Sequence, residues 1–434
     1  MASEDVTIDR LTLRGWRQFE SVDLDLSSRL TVITGANGAG KTSILSLIGQ
    51  LFQWSPTFLS VPYRAADGTI SYMSNVWAEE PEDSEMVDQS VPEPYRGHTV
   101  GRVIYSDGSK GSVAVHGSGS MLYSVGISMP PRMMMNGLFL SSHRSLSEYQ
   151  RVEYLPAEFN EIGQILEQYL SEIRGRIGGY RASELKSPMF RMKEALLSAA
   201  IFGEGNSSLA PNVRALEVWT GFQDVLKILL PKSLGFKRLI AMPPEIVIDS
   251  STGQFTLDAA SGGITALLEL AWQIFLRSRQ HDNFTVCFDE PENHLHPSLQ
   301  RSVIPSLLSA FPNVKFIVST HSPFVVTASQ YSKVYVLQYN EKDRVEAHLL
   351  NFADKSAAAE EVLSKVLGME STLPIWAESK FDEIIARYLS RTTLEAGDLI
   401  SLRNDLQAAG LGGKLPSAID AFSRKIASEG DSEE

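Results

Sequence analysis

Leu30-Thr31-Val32-Ile33-Thr34 is a near-continuous apolar run, the pattern of a strand buried on both faces. Beyond a glycine-rich break, Ile44, Leu45, Ile48, Leu51 and Phe52 fall at helical spacing. Phe284-Thr285-Val286-Cys287-Phe288 and Phe316-Ile317-Val318-Ser319-Thr320 repeat the buried-strand pattern, and a strongly apolar helix is expected over Ile264–Leu276. The text between them changes twice. Arg102-Val103-Ile104-Tyr105 and Ser112-Val113-Ala114-Val115, joined through Ser106-Asp107-Gly108-Ser109, read as a hairpin, and Met121 to Ile127 as another strand. From Phe159 to about Leu230 the spacing is helical: Ile162, Ile165, Leu166, Tyr169 and Leu170; Met192, Ala195, Leu196 and Leu197; then Val218, Phe222, Val225, Leu226 and Leu229. Gly175–Gly179 and Gly203–Asn212 break it into pieces without sustained heptads, so a compact bundle is expected rather than a coiled coil. After Phe352 the chain is helix-rich and ends in the acidic tail Glu429–Glu434.

Composition narrows the class. A chain of 434 residues can bury a large core and form more than one lobe. The single cysteine, Cys287, lies inside an expected core strand, which excludes a disulfide framework or a cysteine-rich metal site within one chain. Met1 to Arg10 contains acidic residues and no apolar h-region, unlike a signal peptide. The apolar helix at Ile264–Leu276 is too short for a membrane and holds Glu269 and Gln273, so a cytoplasmic protein is expected. The net charge of −13 counts against broad nucleic-acid binding but leaves room for a local basic surface. Arg174, Arg176, Arg181, Lys186, Arg191 and Lys193 supply one, interspersed with Glu172, Glu184 and Glu194. They read either as a solvated helix face or as a contact to a DNA phosphate backbone. The acidic loop Glu79, Glu80, Glu82, Asp83, Glu85 and Asp88 reads as solvated surface, with a partner site as the alternative.

The chemistry sits at the strand ends. Gly35-Ala36-Asn37-Gly38-Ala39-Gly40-Lys41-Thr42 is a complete phosphate-binding loop between strand and helix, the context that motif requires. Its glycines, Gly35, Gly38 and Gly40, let backbone N–H groups turn toward phosphate oxygens, and the helix N-terminus adds a favourable dipole. Lys41 is expected to reach the β- and γ-phosphates of a bound ATP and the Thr42 hydroxyl to ligate magnesium; Asn37 and Ser43 complete the expected nucleotide contacts. The second buried strand ends in Asp289-Glu290. Asp289 can hold magnesium, and Glu290 can polarise an attacking water as general base. The third delivers His321 to the same edge, within reach of a γ-phosphate. Ser261-Gly262-Gly263, at the start of the apolar helix, is either a further anion site or a plain N-cap.

The order P-loop, Ser-Gly-Gly, Asp-Glu and strand-end His resembles ATP-binding-cassette ATPases. The opening, Leu11 to Phe19 and then Val22 to Leu26, looks like the RecF/SMC branch. Asp289-Glu290-Pro291-Glu292-Asn293-His294-Leu295-His296-Pro297 resembles AAA-like bacterial ATPases related to the overcoming-lysogenization-defect (OLD) nucleases. That group includes ATPase subunits of Septu-type and retron-associated anti-phage systems; Ser141-Ser142-His143-Arg144, Tyr149 and Pro156 also resemble it. The resemblance covers residues 8–60, 136–157 and 235–340. It departs from the family at the signature, where Ala260 precedes the serine and Ile264 follows the glycines, and at the Q-loop glutamine, for which Gln150 is a poor candidate.

The resemblance implies an α/β fold: an ABC-type P-loop head with a mixed core sheet flanked by helices, an antiparallel β-subdomain, a short helical insertion and a helical C-terminal region. The segments expected are 1–60 (P-loop part), 61–135 (β insertion), 136–231 (helical insertion), 232–353 (signature, Asp-Glu and His) and 354–434 (partner binding). It also implies a homodimer or higher even-numbered oligomer, in which Ser261, Gly262 and Gly263 of one subunit close over the nucleotide of the other. OLD nucleases carry a toprim nuclease domain at the C-terminal position, and Glu378 and Asp382 have its opening spacing. No Asp-x-Asp follows, so a partner-binding module without nuclease activity is expected. Leu373, Ile375 and Trp376 would suit a partner surface there. Three readings stay open: an ATPase controlling a separate effector, such as a nuclease encoded nearby, in anti-phage defence; a RecF-like DNA-repair ATPase; and a non-hydrolysing ATP switch. Glu290 argues against the last. The short helical insertion and the Asp-Glu-Pro-Glu-Asn-His-Leu-His-Pro run favour the first over the second.

Overall fold

The computed structural model describes residues 6–54, 56, 58–77, 97–116, 120–129, 135–142, 149–177, 186–351, 362, 374–389, 396–416, 418 and 419. The acidic loop from Glu79 to Asp88, His143, Arg144, Arg181, Glu184, Leu373 and the tail Glu429–Glu434 lie outside the described residues, as does the side chain of Ile375. Two compact units are present, residues 1–362 and 363–434.

The first unit is organised by a twelve-stranded sheet. Its parallel part holds β10 (Gly137–Leu140), β14 (Phe284–Asp289), β15 (Val314–Ser319), β3 (Leu30–Gly35) and β16 (Lys333–Tyr339), adjacent in that order. Every residue of β3 and β14 is buried, which is why both read as unbroken apolar runs. Beyond β16 come β17 (Val345–Leu349), β2 (Phe19–Asp25), β1 (Ile8–Trp16), β7 (His98–Tyr105), β8 (Lys110–His116), β9 (Leu122–Ile127) and β4 (Phe58–Leu59). From β2 to β4 each pairing is antiparallel, and the strands alternate buried and open positions. The expected hairpin at 102–115 and the strand at 121–127 are β7, β8 and β9. They extend the same sheet that carries the phosphate-binding loop.

Two smaller sheets were not foreseen from the pattern: β5 (Val61–Arg64) with β6 (Ile70–Met73), and β11 (Phe236–Met242), β12 (Glu245–Ser250) and β13 (Gly253–Thr256).

Helix α1 (Lys41–Gly49) follows the loop. Helices α2 (Ile162–Ile177), α3 (Pro188–Gly203) and α4 (Val213–Leu229) form the expected bundle and pack with α5 (Gly262–Ser278). The breaks between them have local causes. Ser187 caps α3 by accepting from the Phe190 amide at 3.0 Å ahead of Pro188, and Asn212 caps α4 by accepting from Ala215 at 3.1 Å. The α4–α5 contact is aromatic: Phe222 meets Trp272 edge-on at 4.8 Å between centroids. Helices α6 (Pro297–Ala310) and α7 (Pro323–Val326) follow β14 and β15.

The second unit holds α8 (Ile375–Leu389) and α9 (Ala396–Ala408), closed around Ala377, Ile384, Ile385, Tyr388, Leu402, Leu406 and Leu411. Trp376 lies on its surface, 70 % exposed.

The basic cluster of the helical insertion is corrected as a DNA contact at two positions. Lys193 is wholly buried, with its ammonium 3.0 Å from Glu245 and 2.7 Å from Asp258. Arg191 is paired with Glu172 at 2.8 Å and Glu194 at 3.2 Å. Their charges are spent inside the fold. Lys186 lies over the Phe190 ring at 4.7 Å, and Arg174 is 3.5 Å from Glu167.

Candidate functional site

Three adjacent parallel strands, β14, β15 and β3, end at one edge of the sheet, and each hands a short segment of polar residues to it. From β3 comes the phosphate-binding loop. Gly40 caps α1 with φ 95°, and a Cβ there would strike Gln18 and Phe19 of the β1–β2 turn. Gly35, with φ 138°, is pressed on the Leu337 carbonyl of β16 in the same way. Both positions need glycine for space as well as for conformation. Asn37 and Gly38 stand exposed at the loop apex; Gln18 donates to the Gly38 carbonyl at 3.2 Å, and Arg17 reaches the Ser43 hydroxyl at 3.4 Å.

Lys41 is 5 % exposed and folds back over the loop. Its ammonium donates to the Gly35 carbonyl at 3.0 Å and the Ala36 carbonyl at 2.9 Å. Burial draws it down to about 8, against the pull of Glu290, Asp289 and Glu292, so it is predominantly cationic at neutral pH.

From β14 comes Asp289. The Thr42 hydroxyl lies 3.2 and 3.1 Å from its two carboxylate oxygens, and the hydroxyls of Ser319 and Ser142 also donate to it. Burial holds this carboxyl above its usual range, with those three hydroxyls opposing; a cation held there would reverse the balance. A hydroxyl and a carboxylate converging on one spot are hard oxygen donors, the set that suits magnesium. Among the described residues no group of three or more His, Cys, Asp or Glu is gathered as a metal site.

Glu290 follows directly, in the left-handed region at φ 51°, a conformation that is uncommon for a residue with a side chain. Its amide donates to the Ser319 carbonyl at 3.0 Å, and its carboxylate accepts from Asn293 Nδ2 at 2.7 Å. His321 Nε2 lies 3.8 Å from Glu290 Oε1. Burial, then the Lys41 charge, lowers the pKa of His321, so at neutral pH this approach joins a neutral imidazole to a carboxylate.

Glu292 is a clamp that the sequence did not single out. Its buried Oε1 accepts from the Thr320 hydroxyl and from the amides of His321 at 3.0 Å and Ser322 at 3.1 Å. The carboxylate of one strand end therefore fixes the loop of the next. Burial nevertheless raises its pKa. His296, in the same acidic run, only caps α6, its Nδ1 accepting from the Ser298 amide at 3.3 Å.

Ser142 follows β10, the strand beside β14, and touches Asp289. The signal was present as a short apolar run, Gly137–Leu140, ending in two serines. Gln150 is elsewhere, accepting from the Ser187 amide at 2.8 Å.

Ser261 is the exposed N-cap residue of α5, its carbonyl accepting from the Thr265 amide at 2.8 Å, but its side chain makes no capping hydrogen bond. Gly263 packs close to the His294 carbonyl: a Cβ there would come within 3.3 Å of it. The Ser-Gly-Gly turn thus borders the turn that follows Glu290, and among the described residues it makes no hydrogen bond to the phosphate-binding loop of its own chain. Glu378 and Asp382 lie on α8 in the second unit.

Residues 10–60 match the AAA domain family and residues 139–326 the AAA ATPase domain family. The chain therefore carries ATPase domains, as its resemblance to the RecF/SMC/OLD group implied. It is similar to the Septu protein PtuA of Bacillus thuringiensis, 22 % identical over 392 residues, 86 % of this chain and 87 % of that one. The Retron Ec83 probable ATPase of Escherichia coli is 28 % identical over 148 residues, 32 % of this chain and 26 % of the retron protein. The OLD nuclease of Thermus scotoductus is 24 % identical over 367 residues, 81 % of this chain and 65 % of the nuclease. Among solved structures, an SMC head bound to the C-winged helix domain of ScpA aligns over 79 % of this chain and 98 % of that chain, with 17 % identity and a TM-score of 0.42. No helix among the described residues is long and apolar enough to cross a membrane.

Proposed function

We propose that this chain hydrolyses ATP at a composite site between two copies and uses that cycle to control a separate effector in bacterial anti-phage defence. The observation that carries the hydrolytic part is the convergence of Lys41, Thr42, Asp289, Glu290 and His321 on one sheet edge. The defence part rests on the likeness to the Septu and retron proteins.

Lys41 would leave its two carbonyl partners for the phosphates, exchanging neutral acceptors for anionic ones. Thr42 and Asp289 would hold magnesium, which when bound neutralises phosphate charge. Glu290, held by Asn293, would take the proton of an attacking water, and neutral His321 would donate to the γ-phosphate. Ser261, whose side chain makes no capping hydrogen bond, and the Gly262 and Gly263 amides would serve the partner's nucleotide. The C-terminal unit would dock the effector, with Trp376 on its surface, and would itself have no nuclease activity. A cytoplasmic location fits this role. A DNA-repair reading is weakened by the burial of Lys193 and the pairing of Arg191.

The test separates binding from turnover. Lys41→Ala should lose ATP binding, read by calorimetry, while Glu290→Gln should bind ATP and fail to turn it over. Equal loss of binding in both variants would refute the roles assigned.

A further inference from the structure

A cavity of about 510 Å³ is lined by β10 and by residues of α1, α2 and α5. One part of its wall is Thr42, Ser142 and Asp289; the rest includes Arg174, Arg176 and Arg277, beside Trp54 and Phe139. Nothing in the hydrolytic scheme uses these arginines. The Nε donors of Arg176 and Arg277 are enclosed and have no hydrogen-bond partner among the described residues. Among the described residues, Arg277 reaches Gln280 through Nη1 at 3.3 Å, and Arg174 has a long pairing with Glu167 at 3.5 Å. The cavity also holds carboxylates, Glu269 and Asp289, on its wall. Asp289 is already engaged by three hydroxyls.

Enclosed guanidinium donors without acceptors are costly, and folding tolerates them where a ligand supplies the acceptors. Guanidinium forks match the bidentate geometry of phosphate and carboxylate oxygens. In a chain of net charge −13, three arginines on one cavity wall are a local reversal of sign. Trp54 and Phe139 stack at 4.5 Å and 23°, giving the same cavity a flat aromatic wall. Its volume lies in the range occupied by small organic ligands and exceeds what a bare oxyanion fills.

We propose that this cavity binds a second, phosphate-bearing small molecule, held by Arg176 and Arg277 with Arg174 at the wall, apart from the ATP on the phosphate-binding loop. The site needs no hydrolytic step. Because Thr42 and Asp289 border the cavity, an occupant would lie next to the magnesium site and could bias it.

The test uses the full-length chain with Lys41→Ala, which removes the P-loop's main cationic contact. AMP and inorganic phosphate are titrated separately by calorimetry. Saturable binding near one equivalent is expected, weakened about tenfold or more by Arg176→Gln and by Arg277→Gln. Much tighter binding of AMP than of phosphate would identify a nucleotide as the source, using the aromatic wall; equal affinities would identify free phosphate. Both uphold the phosphate site. Arg174→Gln, at a side chain 38 % exposed, gives a variant whose folding is not at risk and should weaken binding in the same direction. Absence of saturable binding by either probe, or binding indifferent to all three substitutions, would overturn the proposal. ATP binding that survives Lys41→Ala would instead count against the P-loop assignment, so the two failures are told apart.

Discussion

Lys193→Met should be among the most damaging single substitutions outside the nucleotide site. Lys193 is fully buried on α3, and its ammonium bridges Glu245 at the start of β12 and Asp258 in the short turn before Ser261. Methionine fills a similar volume, so packing is nearly conserved and the change isolates the charge. Two carboxylates are then left behind. Glu245 keeps the Tyr149 hydroxyl, 2.7 Å away. Asp258 keeps nothing that the described residues offer: its Oδ1 already has no partner and its Oδ2 loses Lys193. Removing one partner of a buried ion pair costs about 3–5 kcal/mol, and the Tyr149 hydrogen bond places the expected loss near the lower end. Urea unfolding followed by tryptophan fluorescence reads it, Trp272 being packed on Phe222 in the same lobe. With an m-value of a few kcal/mol per molar for a lobe this large, the midpoint should fall by about 1 M. Adding Asp258→Asn to Lys193→Met should recover much of the loss, because the orphaned charge disappears. A Lys193→Met chain within about 1 kcal/mol of the parent would refute the reasoning. A double variant no better than the single one would show that the loss comes from packing and not from charge.

Mixing Lys41→Ala chains with Ser261→Arg chains should restore at most a fraction of ATPase activity, through the one intact site of a heterodimer; full activity from a strictly monomeric chain would exclude a composite site. His321 has a folded pKa below its ordinary 6.5, so the unfolded chain binds the extra proton first and stability falls as the pH drops from about 6.5 through the lowered value. His321→Asn should flatten that stretch of a stability–pH curve, and an unchanged slope would refute the contribution. Glu378→Ala and Asp382→Ala should leave ATPase activity intact and reveal no nuclease; metal-dependent DNA cleavage lost in Glu378→Ala would show a working toprim remnant.

The site was legible where one residue type does one job at a strand end. Gly40, Lys41, Thr42, Asp289, Glu290 and His321 each sit beside a fully apolar run, and parallel neighbours had to bring them together. What sequence could not show is which side chains hold those residues. Glu292 looked like one more acid in an acidic run, and only the register of β14 on β15 aims it at the His321 amide. Lys193 sat in a helix full of charges, and its burial follows from how α3 lies on β12. Ser142 was noticed only within a stretch resembling the family, and its contact to Asp289 was not foreseen, because the strand before it has four residues, too few for a periodicity argument. The small sheet β11–β13 was missed for a related reason: β11 has largely exposed faces and β13 is short, so neither shows a clear alternation of apolar and polar positions.

Because β3 lies between β15 and β16, a segment made at residues 30–35 has to wait for residues 314–339 before it is sandwiched. On a ribosome, that interval is most of the synthesis time of the first unit. A nascent chain released short of β15 holds a glycine loop with no strand on either side, lacks Ser319 as a partner of Asp289 and has no His321. Competence to hold the nucleotide is therefore acquired late and all at once, and a prematurely terminated product has no partial version of it. The long sequence separation that makes this pairing slow also acts as a completeness check on the polypeptide.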